Sequence, residues 1–273
     1  MKSFARRRWR NLGIALVLAV AILVFDYVYT LSMRSFSYVS GWTLLVVILG
    51  LAAYNLRKKL PFLPLGSSAT WLQIHIYAGL LTAVLFLVHI EFRVPNGVFE
   101  IVLSLLYVLV FLSGLGGLAL SRLFAMRLTA NGEEVQFERI PFFIRQIQDE
   151  VHQMVLNGIA ETETSVIPEF YVARLKPFFD RPRHVWSHLL QSSRPSQRLH
   201  REIREQDRYL SEPEREVMRA IEDRVRLKNR LDVQFSLQGA LKYWLFLHVP
   251  LTYALLVFAV IHLVLVYAFS GGI

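Results

Sequence analysis

Four histidines lie in two strongly apolar stretches of the 273-residue chain. His75 and His89 belong to residues 71–90, His248 and His262 belong to residues 241–269, and the members of each pair are 14 residues apart. Fourteen residues make nearly four turns of an α-helix, so both imidazoles of a pair leave the same face, about 21 Å apart along the axis. Two such helices facing each other would offer two histidine pairs at two depths.

Histidines in these positions call for a chemical explanation, because ionisable side chains inside apolar spans are costly and often mark functional sites. One isolated histidine would be explained by a hydrogen bond to a neighbouring helix, whereas two pairs of identical spacing favour metal ligation. Neutral imidazole is a common iron ligand, and helix bundles build cofactor sites from facing helices. Two histidines at each depth, without acidic or sulfur partners, suit haem better than zinc or copper.

The sequence therefore predicts two b-type haems with histidine on both sides of the iron, His75 opposite His248 and His89 opposite His262. The chain contains no cysteine. That excludes disulfides, iron–sulfur clusters and covalent c-type haem, so coordination and packing alone would hold each haem.

Composition indicates an integral membrane protein. Hydrophobic residues make up 54% of the chain, and its mean hydropathy is +0.41. The net charge of +9 comes mostly from short segments beside the apolar runs. Such a distribution is typical of membrane topology, and we expect no nucleic-acid partner.

Hydropathy predicts five spans, at about residues 12–31, 41–56, 71–90, 98–120 and 241–269. The first is too long for a signal peptide, and no cleavage site follows it. Basic residues at the N-terminus and in the 57–70 loop place the N-terminus in the cytoplasm, in a bacterial inner membrane. Spans three and five then run in the same direction, with the tail after Phe269 outside.

The fold class expected is an all-α membrane protein, in which spans two to five form a four-helix bundle around the haems. Residues 1–120 would hold the first four spans, 121–238 a mostly helical cytoplasmic insert, and 239–273 the fifth span.

Within the insert, Asn131-Gly132 predicts a hairpin turn between strands at 126–130 and 133–139. Asn157-Gly158 would stop a helix that begins at Pro141. Ser211–Glu214 is a capping box that would start another helix, running to about Leu231. Further helices are expected at 168–191 and 196–209.

Small and basic residues near the spans are further candidates for haem contact. Ser113, Gly114 and Gly117 near one end of span four, and Gly79 one turn after His75, either make room for haem or allow close helix packing. Basic side chains at the two membrane faces could pair with the haem propionates, or could serve topology alone; they are Arg57, Lys58 and Lys59 on the inside and Arg34 or Arg93 on the outside.

Parallel His-x13-His helices separated by one span resemble the di-haem b-type cytochromes. These include cytochrome b of the quinol-oxidising complexes and the ferric-reductase-like transmembrane proteins related to NADPH oxidases. The resemblance covers residues 41–120 and 239–269, and implies that His75, His89, His248 and His262 are the axial ligands. The chain departs from both groups, since we expect neither a sixth span nor a flavin or nicotinamide domain, and a large insert separates spans four and five.

The function expected is electron transfer across the membrane between quinone or quinol and a redox partner, either another subunit or a periplasmic cytochrome. Two haems at two depths make sense when electrons enter near one face and leave near the other. One alternative is a terminal enzyme that reduces ferric ion or oxygen at the outer haem. Another is a non-redox scaffold or sensor.

Three weaker motifs accompany this prediction. His184 and His188 have the spacing of a metal site, and Asp26 could accept a proton beside an outer quinol site. Pro168-Glu169-Phe170-Tyr171 is close to the Pro-Glu-Trp-Tyr signature of quinol oxidation. It precedes the last histidine helix, so we interpret it as chance.

Overall fold

The computed structural model describes residues 2–31, 36–59, 67–130, 135–162, 166–180, 182, 185–190, 192 and 194–269. Within these ranges the chain is helical and contains no β-strand. The all-α prediction is therefore confirmed.

Five of the helices are long and apolar enough to cross a membrane. These are α1 (Lys2–Leu31), α2 (Ser37–Lys59), α3 (Ser68–His89), α4 (Val98–Ala130) and α10 (Glu212–Phe269). All five predicted spans are confirmed as helices, and each of the five extends beyond the bounds predicted for it at one end or both. The remaining α-helices are α5 (Ile140–Thr162), α6 (Val166–Phe170), α7 (Lys176–Phe179), α8 (Val185–Leu189) and α9 (Arg194–Gln206).

The chain divides into two compact units, one of residues 1–118 with 245–273 and one of residues 119–244. Helices α4 and α10 contribute residues to both. We call them the membrane unit and the insert unit.

The core of the membrane unit draws on four helices. Leu44 and Ile48 of α2, Leu85 of α3, Tyr107 of α4 and Leu255 of α10 form one buried cluster, and Ile22 of α1 packs against it. Helix α1 lies along α3, where the Asn11 side-chain amide donates to the Gln73 side-chain oxygen at 3.2 Å. This arrangement places the two histidine-bearing helices, α3 and α10, around one core.

The insert unit has a larger core of its own. Buried residues from α5, α6, α7, α9 and α10 form a single cluster, which includes Val151, Phe179, Ile203 and Ile221. An ion pair is buried in α10, where Lys228 Nζ lies 2.6 Å from Asp232 Oδ2 and 4.2 Å from the centre of the Phe178 ring. A folded insert with apolar packing is thus present.

Two predictions about the insert were wrong. Residues 126–130, expected as a strand, continue helix α4, and residues 137–139 form a turn of 3₁₀-helix; the expected turn at 131–132 lies outside the described residues. The backbone N–H and carbonyl of Val135 are satisfied by the side chains of Gln234 and Gln238 of α10, so no strand partner is needed.

Helix ends were the second error. Helix α5 passes through Asn157-Gly158 to Thr162, and α10 does not stop at Leu231 but continues to Phe269. The region 168–191, where helices were expected, contains α6, a five-residue π-helix (Tyr171–Leu175), α7 and α8. The capping box is confirmed, because the Ser211 N–H and hydroxyl both donate to Glu214 Oε2, at 2.7 and 2.6 Å.

Candidate functional site

The four span histidines fall into two groups within the membrane unit. The rings of His89 on α3 and His262 on α10 have centroids 6.2 Å apart and planes at 86°. His75 and His248 lie within electrostatic range of each other. We call these groups the His89 level and the His75 level; each joins the two histidines that the sequence pairs.

The His75 level is completed by α2 and α4. His75 Nδ1 lies 3.2 Å from the carbonyl oxygen of Leu51, and the Tyr54 ring is 5.3 Å from the His75 ring. His248 Nδ1 lies 2.6 Å from Ser113 Oγ. Ser113 is thus a direct partner of a candidate ligand.

The His89 level is built in the same way. His89 Nδ1 lies 2.9 Å from the carbonyl oxygen of Ser37, and a Cβ atom on Gly41 would come within 2.7 Å of His89 Cε1. On α4, Phe99 stacks on His262 with a centroid distance of 6.4 Å. Both levels therefore take side chains or backbone groups from α2, α3, α4 and α10.

These contacts determine which ring nitrogen carries the proton. A carbonyl oxygen can only accept, so Nδ1 of His75 and of His89 must be the donor. The Ser113 hydroxyl donates to the Val110 carbonyl at 2.8 Å, which leaves its oxygen to accept from His248 Nδ1. In each neutral ring the lone pair is then at Nε2. A metal-bound histidine is held in this way, with its other nitrogen donating to an oxygen.

The donor set fits a metal held between two imidazoles. Opposed rings that share one metal at about 2 Å from each nitrogen have centroids about 6 Å apart. The His89–His262 separation of 6.2 Å agrees with that spacing. Gly41 allows the close approach of α2 to His89, because a Cβ atom there would lie 2.7 Å from His89 Cε1. Gly114 also faces a histidine, but a Cβ there would make an ordinary contact of 3.6 Å with His248 Cε1.

An apolar layer lies between the two levels. Thr82, midway between His75 and His89 on α3, is buried and accepts a hydrogen bond from the Tyr107 hydroxyl at 3.0 Å. The Tyr107 ring stacks on Phe86 at 4.1 Å and on Phe111 at 6.2 Å. Aromatic rings thus fill the middle of the unit.

The other predicted contact residues differ in their surroundings. A Cβ on Gly79 would meet nothing within 4 Å, and Gly117 is buried. Arg57, Lys58 and Lys59 belong to the last turns of α2, but their side chains lie outside the described residues, as does Arg34. Arg93 is exposed and pairs with Glu91 at 3.7 Å.

The structure describes the three weaker motifs only in part. Asp26 lies half-buried on α1, and its carbonyl accepts from the Thr30 hydroxyl at 2.9 Å. His184 lies outside the described residues, so its spacing to His188 has no structural description. Phe170 and Tyr171 are buried in the core of the insert unit. Burial, together with the charges of Asp180 and Asp149, raises the pKa of Tyr171 and keeps its phenol neutral.

Sequence reasoning missed the α2 contribution to both levels. Ser37, Gly41, Leu51 and Tyr54 all contact a histidine, yet none was singled out. Only Gly41 carried a signal, as a glycine near the start of span two. The carbonyl groups of Ser37 and Leu51 carry none, because every residue has one.

Comparison of the chain with protein-family models, with curated proteins and with solved structures finds no match.

Proposed function

We propose that this protein is a di-haem b-type cytochrome that passes electrons across a membrane, between quinone or quinol and a redox partner such as a periplasmic cytochrome. One observation carries the proposal. Two histidine pairs lie at two depths of an apolar helical unit, and hydrogen bonds on Nδ1 leave the lone pair on Nε2 in three of the four rings.

Some of these residues would bind haem iron, and others orient the imidazoles that do so. His75 and His248 would hold one b-type haem, and His89 and His262 the other. Leu51, Ser113 and Ser37 fix the rotation of three of these rings through their oxygen atoms. When bound, the haems supply reversible one-electron chemistry at two depths of the membrane.

The membrane setting is part of the same proposal. The basic N-terminus and the basic end of α2 favour a cytoplasmic N-terminus in a bacterial inner membrane. The His75 level would then be nearer the cytoplasm and the His89 level nearer the outer face, so electrons would cross most of the bilayer within one chain.

The first test is haem content. Purified protein should give a pyridine haemochrome of b-type with two haems per chain, and a reduced-minus-oxidised spectrum typical of low-spin iron with two imidazole ligands. A fully folded preparation that lacks haem would contradict the proposal and favour the scaffold alternative.

The second test is the pairing of the histidines. His75→Ala and His248→Ala should remove the same component from a potentiometric titration, and His89→Ala and His262→Ala should remove the other. His152→Ala is the matched control, because His152 is exposed in the insert unit; it should keep both components. Loss of one shared component in the His75 and His262 variants would show that the pairing is wrong.

The third test concerns quinol. In proteoliposomes, a quinol should reduce both haems of the wild-type protein, and an acceptor on the opposite side should reoxidise them. Direct reduction of ferric ion or oxygen at rates above those of the quinol reaction would instead favour the terminal-enzyme alternative.

A further inference from the structure

The backbone directly after His89 adopts an unusual conformation. Helix α3 ends at His89. Shortly after it, Glu91 and Phe92 have φ angles of 52° and 55°. Positive φ is uncommon for residues other than glycine, and it persists only where the surrounding structure imposes it. The backbone is nevertheless satisfied, since the Phe92 N–H donates to the Leu87 carbonyl at 2.9 Å and the Glu91 N–H to the Val88 carbonyl at 3.0 Å.

This turn brings the Glu91 carboxylate back to the start of α2. The Ser37 hydroxyl donates to Glu91 Oε1 at 2.7 Å. The carbonyl of the same serine accepts from His89 Nδ1 at 2.9 Å. Ser37 therefore contacts both His89, the last residue of α3, and Glu91, which follows two residues later. The three residues form a closed set of contacts.

Gly41 confines the same imidazole from one turn further along α2. A Cβ atom at this position would lie 2.7 Å from His89 Cε1 and 3.1 Å from His89 Nδ1. The His89 ring is therefore held at its Nδ1 atom by Ser37 while its edge lies against the backbone of α2. A shift of Ser37 would change the rotation of this ring, because the Ser37 carbonyl accepts the hydrogen bond from His89 Nδ1.

We propose that Glu91 and Ser37 are positioning residues that hold His89 in the orientation and tautomer required to face His262. Their role in positioning a haem ligand rests on the proposed function. The hydrogen bonds that join Glu91, Ser37 and His89 do not depend on it. The positive φ angles at Glu91 and Phe92 then have a functional explanation. The chain reverses directly after α3, and this reversal returns the Glu91 carboxylate to Ser37.

Paired substitutions separate the hydrogen bond from the charge. Glu91→Ala removes the acceptor for the Ser37 hydroxyl, while Glu91→Gln keeps a side-chain oxygen and removes the charge. Glu216→Ala is the control for loss of an exposed carboxylate, because Glu216 is exposed in the insert unit. Ser37→Ala tests the same link from the other side, and keeps the carbonyl that His89 uses.

The first measurement is made on protein containing haem. Substitution of a residue that orients a metal ligand typically lowers metal affinity about 10- to 100-fold. Glu91→Ala and Ser37→Ala should weaken haem retention at the His89 level by about that factor and shift its EPR g values, which respond to the angle between imidazole planes. The component of the His75 level is the internal reference and should not move. Glu91→Gln and Glu216→Ala should resemble the wild type.

The double variant Ser37→Ala/Glu91→Ala adds a test of coupling. Residues that act through one hydrogen bond give non-additive effects, so the double variant should be no worse than either single variant. Additive losses, or an unchanged EPR signal in Glu91→Ala, would overturn the proposal. A Glu91→Gln variant as impaired as Glu91→Ala would also overturn it, because charge and not hydrogen bonding would then be the cause.

The second measurement needs no haem. Nitrogen NMR of labelled histidines in haem-free protein should show His89 protonated at Nδ1 in the wild type and in Glu91→Gln, and mixed tautomers in Ser37→Ala and Glu91→Ala. An unchanged tautomer in these last two variants overturns the positioning role. A wild-type chain that binds no haem but shows this tautomer pattern would contradict the proposed function. It would still support the positioning of His89 by Glu91 and Ser37.

Discussion

Ser113 shows how one hydroxyl can direct a candidate ligand. It donates to the Val110 carbonyl at 2.8 Å and accepts from His248 Nδ1 at 2.6 Å, so the serine oxygen links the backbone of α4 to an imidazole of α10. Serine in a span is often explained by helix packing alone. Here the same residue serves packing and ligand orientation.

Ser113→Ala should therefore weaken the haem of the His75 level. The substitution removes this hydrogen bond to His248, and a typical hydrogen bond contributes about 0.5–1.5 kcal/mol. We expect haem affinity at this level to fall about 10- to 100-fold, measured by competition with a haem-binding apoprotein. Ser104→Ala on the same helix is the matched control. Equal behaviour of the two variants would contradict the role assigned to Ser113.

Gly41→Ala should act on the other level. The new Cβ atom would lie 2.7 Å from His89 Cε1, closer than real contacts allow, so the ring or helix α2 must move. We expect selective loss of the haem component of the His89 level, measured by optical titration. Gly50→Ala on the same helix is the control, because a Cβ there would meet nothing within 4 Å. A Gly41→Ala protein with both components unchanged would show that the ring is free to move aside.

At the scale of elements, the capping box at the start of α10 has a local consequence. Glu214 is buried and accepts from both the N–H and the hydroxyl of Ser211. Loss of a helix cap costs about 0.5–2 kcal/mol. Glu214→Ala should therefore speed amide hydrogen exchange in the first turns of α10, whereas Glu216→Ala, at an exposed position, should not. Identical exchange in both variants would show that tertiary packing alone holds this end.

The sequence predicted elements well where one physical effect dominates. Each span is identified by a long apolar run, and the capping box by local chemistry, so both were found. Helix ends were missed where tertiary contacts outweigh local preference. Asn157-Gly158 usually stops a helix, but Gly158 packs against Val217, where a Cβ would lie 3.6 Å from the valine, and α5 continues.

The site was predicted only as far as periodicity reaches. The 14-residue spacing indicated which histidines share a helix face, because that follows from helix geometry. Which histidines share a depth was predicted from the loop charges, which make spans three and five run in the same direction. The partners of their Nδ1 atoms depend on how α2 and α4 lie against α3 and α10. Ser37, Leu51 and Glu91 carry no periodic or compositional signal for that packing.

At the scale of the whole molecule, the two units bury apolar surface in different ways. Helix α1 exposes large apolar side chains along its length, among them Leu16 at 66% and Val17 at 67%. Exposed apolar surface of this extent is costly in water and favourable in lipid. The insert unit instead encloses its apolar residues in a core of its own.

The insert unit should accordingly fold by itself. A fragment of residues 119–244 is continuous in sequence and contains the whole cluster around Val151, Phe179 and Ile221. Expressed alone, it should be helical by circular dichroism, unfold cooperatively in urea and bind no haem, because none of the four span histidines belongs to it.

Substitutions in the buried ion pair of α10 test whether this core forms in the fragment. Lys228 and Asp232 are 0% and 1% exposed, and removal of one partner leaves the other charge buried. Such a change costs about 3–5 kcal/mol, whereas replacement of both partners by apolar residues is often neutral. Lys228→Met should lower the urea midpoint strongly, and Lys228→Met/Asp232→Leu should restore most of it. A fragment that melts gradually and responds to neither change would show that this core forms only in the full chain.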